Sequence, residues 1–367
     1  MTKSIKFLDL SLEYKRHQRR FDQVFNQVAS SGWFILGSAV KDFELSFARF
    51  LGAKHCIGVG NGLEALQISL MSLGVGKGDE VITTPVSAVA TTLAILAVGA
   101  KPVFVDVDAQ GLMDPLLIPQ AISKNTKAIL PVHLYGNSCN MDQLGKICQE
   151  KNFFLIEDAC QAHGSKYGNQ IVGTFGSLGC FSFYPTKNLS ALGDGGVIVT
   201  DNEQLAKICY QIRDYGQSGK YLHKLYGLNS RLDELQAAFL KVKLAYLESN
   251  NKKRRQAAKR YIDKLSSLKE LEIIMPLNKC LPNYHLFVIR TRKRDQLKQY
   301  LQGQGIQTLI HYPLIIPDQP FLKDEFSQAD LPIARQFCSE VLSLPCNPEI
   351  KDSEIDLICQ KVKQFFA

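Results

Sequence analysis

Two residues at the ends of apolar runs, Lys187 and Asp158, have the types and settings that could do chemistry. Phe181-Ser182-Phe183-Tyr184-Pro185-Thr186-Lys187-Asn188-Leu189 places the lysine just past a strand-like run, and Gly193-Asp194-Gly195-Gly196 follows closely. Upstream, Phe153-Phe154-Leu155-Ile156 runs into Glu157-Asp158-Ala159-Cys160-Gln161-Ala162-His163-Gly164. An amine for an imine and a carboxylate for a pyridinium nitrogen are what pyridoxal 5′-phosphate (PLP) chemistry requires. A free lysine is protonated near neutral pH, so it needs desolvation or a cationic neighbour to become nucleophilic. The plain alternatives are a solvated loop lysine and a helix-capping aspartate. Neighbouring strand residues point to opposite faces, so only one of Glu157 and Asp158 can serve a given pocket.

Gly58-Val59-Gly60-Asn61-Gly62-Leu63-Glu64 joins a strand to a helix, and free amides there would face an anion. The dinucleotide fingerprint needs a third glycine where Leu63 stands, which argues against a nicotinamide enzyme. Asn61, Gly62 and Leu63 would therefore act mainly through their backbone.

The elements that must position these residues alternate. Strands are expected at Cys56–Val59, Glu80–Thr83, Pro102–Val107, Ala128–His133, Phe153–Glu157, Gly179–Tyr184 and Val197–Thr200, with helices such as Leu63–Leu73, Ala88–Val98 and Met141–Lys151 between them. This predicts an α/β fold with a mostly parallel mixed sheet between helices, its ligand outside the carboxyl ends of the strands. A long helical pattern from Asn229 to Leu268 leads to Pro276 and Pro282. Beyond it, Tyr284–Thr291, Arg292–Gly303, Gly305–Ile310 and Ala329–Leu342 read as strand, helix, strand, helix. The division expected is a large domain over 1–250 and a small C-terminal α+β domain over 251–367.

The 367 residues are 46% hydrophobic and 21% charged, the profile of a globular protein. The net charge is +8, and its densest run, Lys252-Lys253-Arg254-Arg255, lies in a helical pattern without interleaved aromatics. That run reads as a solvated helix face, not a nucleic-acid site. Ten cysteines form no Cys-x-x-Cys pair and no zinc-spaced cluster, so no metal is expected and a reducing cytoplasm is. Met1–Lys6 has no apolar run long enough for a signal peptide. Val81–Ala100 is uncharged but broken by Pro85, Ser87, four threonines and Gly99, so no membrane span is expected.

The lysine loop and the Glu-Asp-Ala-Cys-Gln-Ala-His-Gly run resemble the DegT/DnrJ/EryC1/StrS sugar aminotransferases, within the fold-type I PLP enzymes. So do Phe7-Leu8-Asp9-Leu10, Ser31-Gly32-Trp33-Phe34-Ile35-Leu36-Gly37 and His311-Tyr312-Pro313. The resemblance implies Lys187 as the imine lysine, Asp158 as partner of the pyridine nitrogen and Gln161 as donor to the cofactor's phenolic oxygen. His163 reads equally well as a supporting histidine. Ser182 would join Asn61, Gly62 and Leu63 at the phosphate, and Asn229 would reach it from a second subunit, making a homodimer with shared sites. The plain alternative for Asn229 is the cap of the long helix. Relatives place an aromatic residue on the cofactor face where this chain has Val89, which leaves an aliphatic contact or a substitute aromatic from elsewhere in the chain.

Tyr184, Lys220, His223, His311 and Tyr312 are the substrate candidates; Lys220 and His223 lie in a loop resembling the family's nucleotide-sugar contacts. The implied reaction moves an amino group from L-glutamate to a nucleotide-linked keto-sugar. The Asn-Gly-Leu turn leans toward a dTDP-3-keto-6-deoxyhexose, in amino-sugar biosynthesis for a surface polysaccharide or a glycosylated metabolite. Rival expectations are a C4 aminotransferase on a UDP- or GDP-4-keto-sugar, a sugar dehydratase and a non-catalytic regulatory PLP-binding relative. The retained Lys187 disfavours the dehydratase, where histidine takes its place.

Overall fold

Strands that are buried on both faces read as continuous apolar runs, and such runs build the centre of this protein. A computed structural model describes residues 4–326 and 329–367; Met1–Lys3, part of the segment read for a signal peptide, lie outside them. Two helices come first, α1 (Leu10–Ser31) and α2 (Ser38–Leu51). The Asp9 carboxylate caps α1 by accepting from Ser11 N–H, and Gly32 ends it in the left-handed conformation that glycine tolerates.

The sheet contains β1 (His55–Val59), β2 (Glu80–Thr83), β3 (Lys101–Phe104), β4 (Thr126–Leu130), β5 (Phe154–Asp158), β6 (Leu178–Ser182) and β7 (Gly196–Thr200). Their order is β1-β7-β6-β5-β4-β2-β3. Only β7 runs against its neighbours; the rest are parallel, as the sequence predicts. Helices α3 (Gly62–Ser72), α4 (Ala90–Ala97), α5 (Met141–Lys151) and α6 (Glu203–Ile212) supply connections. Alternate residues of β6 feed two cores. Phe181 packs with Phe43 and Phe47, while Leu178 and Cys180 join Ile57, Ile156 and Ile198.

A short exposed hairpin, β8 (Gln217–Gly219) and β9 (Leu222–His223), precedes α7 (Glu234–Leu244) and α8 (Leu247–Leu265). The single helical pattern expected from Asn229 to Leu268 is thus two helices. Tyr246 breaks it, its ring turned onto His17 of α1 at 4.2 Å between centroids. The cap position of α7 is Asp233, so Asn229 is not a helix cap; it lies upstream in extended chain bridged to Asp214.

Strands β10 (Glu272–Ile273), β11 (Phe287–Arg290) and β12 (Val341–Leu344) form an antiparallel sheet in that order. Helices α9 (Arg294–Gly303), α10 (Pro332–Glu340) and α11 (Asp352–Phe366) accompany it. The helix expected over Ala329–Leu342 stops at Glu340, because Val341–Leu344 pairs with β11 as a fully buried strand. The strand expected over Gly305–Ile310 is reduced to isolated bridges, Ile306 to Ile5 and Leu309 to Ser343. Ile5 packs in the same apolar cluster as Tyr261, Phe287, Leu342 and Ile358. The N-terminal segment therefore straps onto this C-terminal sheet.

Candidate active site

At the carboxyl end of β1 the chain turns sharply into α3. The Asn61 carboxamide caps that helix, its Oδ1 accepting from Glu64 N–H at 2.9 Å. The amides of Gly62 and Leu63 belong to the first turn and have no acceptor within the helix. Glycine is required at 62: a Cβ there would lie 2.6 Å from Ser182 Cβ and 3.0 Å from Cys160 Sγ. The end of β6, the loop after β5 and the start of α3 thus converge on one spot. The Gly60 N–H is held by Ser230 Oγ at 3.0 Å.

Asp158 ends β5 and is 5% exposed. Its Oδ2 accepts from Thr91 Oγ1 at 2.8 Å, and its Oδ1 accepts from Cys160 N–H at 3.1 Å. No helix follows, so the carboxylate caps only a turn. Glu157, on the opposite face, is fully engaged by His133 Nε2 and by the amides of Gly173, Phe175 and Gly176. Thr91 was not singled out in the sequence, although its spacing from Ser87 by one helical turn is visible there. The two hydroxyls lie 2.9 Å apart and fix the aspartate.

The lysine loop is clamped at both ends. Phe183 N–H donates to Gly195 O, Lys187 N–H to Tyr184 O, and Ala191 N–H to Phe183 O. Behind it, Asn188 donates to Asn251 Oδ1 and to Asn283 O, while the buried Lys243 ammonium donates to Ser190 Oγ and Glu13. Burial pushes the Lys187 amine below the ordinary lysine range, against the opposing influence of Cys160 and Asp158. Burial, reinforced by Lys187, also lowers His163 to about 3 and His311 to about 4. These imidazoles are neutral at physiological pH. His163 packs between Phe181 and Phe183, with both ring nitrogens buried and unpartnered among the described residues.

Gln161 joins distant parts of the chain: Oε1 accepts from Tyr135 N–H at 2.7 Å, and Nε2 donates to the Tyr312 hydroxyl at 3.2 Å. Burial raises the Tyr312 phenol above its usual range, with the Asp158 charge adding to the effect. Ser182 is buried and its Oγ accepts from Tyr184 N–H. Val89 stands at the mouth of α4, 36% exposed, and Tyr184 is also exposed.

Asn61, Gly62, Leu63, Ser182, Asp158, Gln161, Lys187 and Tyr312 are thus gathered at the strand ends. Lys220 and His223 are not: they lie on the exposed hairpin, where Lys220 sits over the Tyr221 ring and His223 Nδ1 meets Tyr215 O. The Asn229 side chain is exposed and has no hydrogen bond among the described residues.

These groups fit the pyridine and phosphate of PLP. A glycine-lined helix start and a serine hydroxyl suit the phosphate, a fixed carboxylate suits the ring nitrogen, and a desolvated amine stands beside it. Among the described residues no His, Cys, Asp and Glu group could hold a metal ion.

Comparison with known proteins agrees. At 44% identity, covering 98% of this chain and 99% of the relative, the sequence is similar to the dTDP-3-amino-3,6-dideoxy-alpha-D-galactopyranose transaminase of Aneurinibacillus thermoaerophilus. It is 41% identical, over 99% of both chains, to a pleiotropic regulatory protein of Geobacillus stearothermophilus. The fold matches S. venezuelae DesV, solved in complex with a ketimine intermediate, with a TM-score of 0.97, 39% identity and 99% coverage of both chains. The model of the DegT/DnrJ/EryC1/StrS aminotransferase family covers residues 15–363. This chain belongs to that family, and it is a PLP-dependent aminotransferase.

Proposed function

We propose that the chain transfers an amino group from L-glutamate to a dTDP-linked 3-keto-6-deoxyhexose. The observation that carries this reading is the meeting of Lys187, Asp158 and the Asn61–Leu63 turn at one set of strand ends. The dTDP-sugar transaminase among the relatives supports the nucleotide and the 3-position. One relative bears a regulatory name, but the fixed Asp158 and desolvated Lys187 favour turnover here.

When bound, PLP supplies an electron sink for the bond broken at the donor's α-carbon. Lys187 Nζ, its basicity lowered by burial, takes the proton from that carbon and returns one to the keto-sugar's carbon. The Asp158 carboxylate, oriented by Thr91, keeps a proton on the pyridine nitrogen. Gln161, held by Tyr135 N–H and the Tyr312 hydroxyl, would hydrogen-bond the cofactor ring. The Gly62 and Leu63 amides with Ser182 Oγ hold the phosphate.

The test is a panel of keto-sugar nucleotides incubated with L-glutamate. A glutamate-dependent 3-amino product from the dTDP-3-keto sugar is expected. Product formed only from UDP- or GDP-4-keto-sugars would replace the substrate assignment, and no product from any would remove it.

A second copy of the chain completes the site in this reading, through Asn229 and the Lys220–His223 hairpin. Large apolar side chains left exposed support it, among them Trp33 at 63% and Tyr226 at 84%. Mixing an inactive Lys187→Ala chain with a disabled Asn229→Ala chain is expected to restore part of the activity, since one site of each mixed dimer carries neither lesion. No recovery despite demonstrated subunit exchange would return Asn229 to its own subunit. We also place the domain boundary near residue 250, just past the break between α7 and α8. Ten cysteines, none in a disulfide among the described residues, support a cytoplasmic setting.

A further inference from the structure

Beside the lysine loop, a cavity of about 480 Å³ opens between the Phe7–Leu8 strap, α9 and Thr186. Its size suits a small molecule. Its lining contains no aspartate and no glutamate, yet it includes Lys298 and the buried Arg254. Arg254 Nη1 donates to the Cys346, Tyr284 and His285 carbonyls, neutral acceptors that do not cancel its charge. Neither cation belongs to an ion pair among the described residues. Thr308 also lines the cavity. It is 8% exposed, and its buried hydroxyl has no partner among the described residues. His285 and His311 complete the polar wall, their Nδ1 atoms already engaged by Asn188 Oδ1 and Ser343 Oγ. The remaining wall is apolar, with Phe7, Leu8, Leu286 and Leu309.

A concave site with two cations, no carboxylate in its lining and an orphaned hydroxyl is suited to receive negative charge. We propose that this cavity is a subsite for the carboxylate or phosphate end of a small anion, seated on Lys298 and Thr308 and held beside the lysine loop. The apolar wall would cover a short carbon chain attached to that anionic end. The assignment is independent of which sugar the enzyme takes.

The test uses the holoenzyme, so that the cofactor's own phosphate site stays filled. Glutarate and inorganic phosphate are titrated separately by calorimetry against wild type, Lys298→Gln and Thr308→Val, at an ionic strength held constant with sodium chloride. Saturable binding of at least one anion to wild type is expected. Lys298→Gln should weaken it by roughly tenfold, the scale of a charge-assisted hydrogen bond, and Thr308→Val by a smaller factor. Lys298 is on a half-buried helix face and Val is close in shape to Thr, so both variants should fold, which thermal unfolding checks. Glutarate binding alone identifies a carboxylate ligand, and phosphate binding alone a phosphorylated one. Absence of saturable binding by either, or binding that Lys298→Gln leaves unchanged, overturns the proposal.

Discussion

Lys187→Ala is expected to lower turnover by at least about a thousandfold, the scale of removing a positioned acid–base group that also anchors the cofactor. The fold should survive. Lys187 projects from a loop whose clamps are backbone bonds from Phe183 and Ala191 and side-chain bonds to Asn188 and Ser190. A melting temperature within a few degrees of wild type checks that point. Attachment is tested separately. Borohydride reduction of the wild-type holoenzyme followed by peptide mapping should find the pyridoxyl group on the peptide carrying Lys187. A label on another lysine would sink the assignment, whatever the activity of the variant.

Asp158→Asn should lower the rate by about 10²- to 10³-fold, as for other groups aimed at developing charge. Asparagine keeps the size and an oxygen to accept from Thr91 or from Cys160 N–H, and what it loses is the negative charge. The loss should appear in kcat and kcat/KM together, because the charge acts at the reacting centre and not in sugar binding. Thr91→Val, which releases the carboxylate without removing it, should cause a smaller loss in the same direction. Near-normal activity in Asp158→Asn would leave the carboxylate as the cap of a turn.

The sheet was legible in the sequence because its strands are buried on both faces and so spell continuous apolar runs, as Ala128–Leu130 and Leu178–Ser182 do. Lys187, Asp158 and Gly62 were legible because strand ends, glycines and a short spacing mark them locally. Contacts across long separations were not. Gln161 meets Tyr312, and Asn251 meets Asn188, through single hydrogen bonds that leave no periodic trace in either segment. Thr91 was hidden for the same reason, since its partner Asp158 is on another element. The break at Tyr246 was invisible because tyrosine is an acceptable helix residue, and only the neighbouring His17 ring shows why the chain turns there. The helical reading of Ala329–Leu342 overruns into Val341 and Leu342 because short buried apolar runs carry no period that separates strand from helix.

The polar cluster behind the lysine loop has a consequence for how the molecule is made. Asn283 donates to the carbonyls of Gln161 and His163, Asn251 donates to His163, and both engage Asn188. The lysine loop therefore rests on residues synthesised long after it, and Gln161 waits for Tyr312. Contacts of such high sequence separation form late, once the entropy of closing long loops has been met. A nascent chain would complete its sheet before this cluster and would lack a finished cofactor pocket until the C-terminal strands had docked. The appearance of the yellow chromophore during refolding should accordingly trail the recovery of secondary structure.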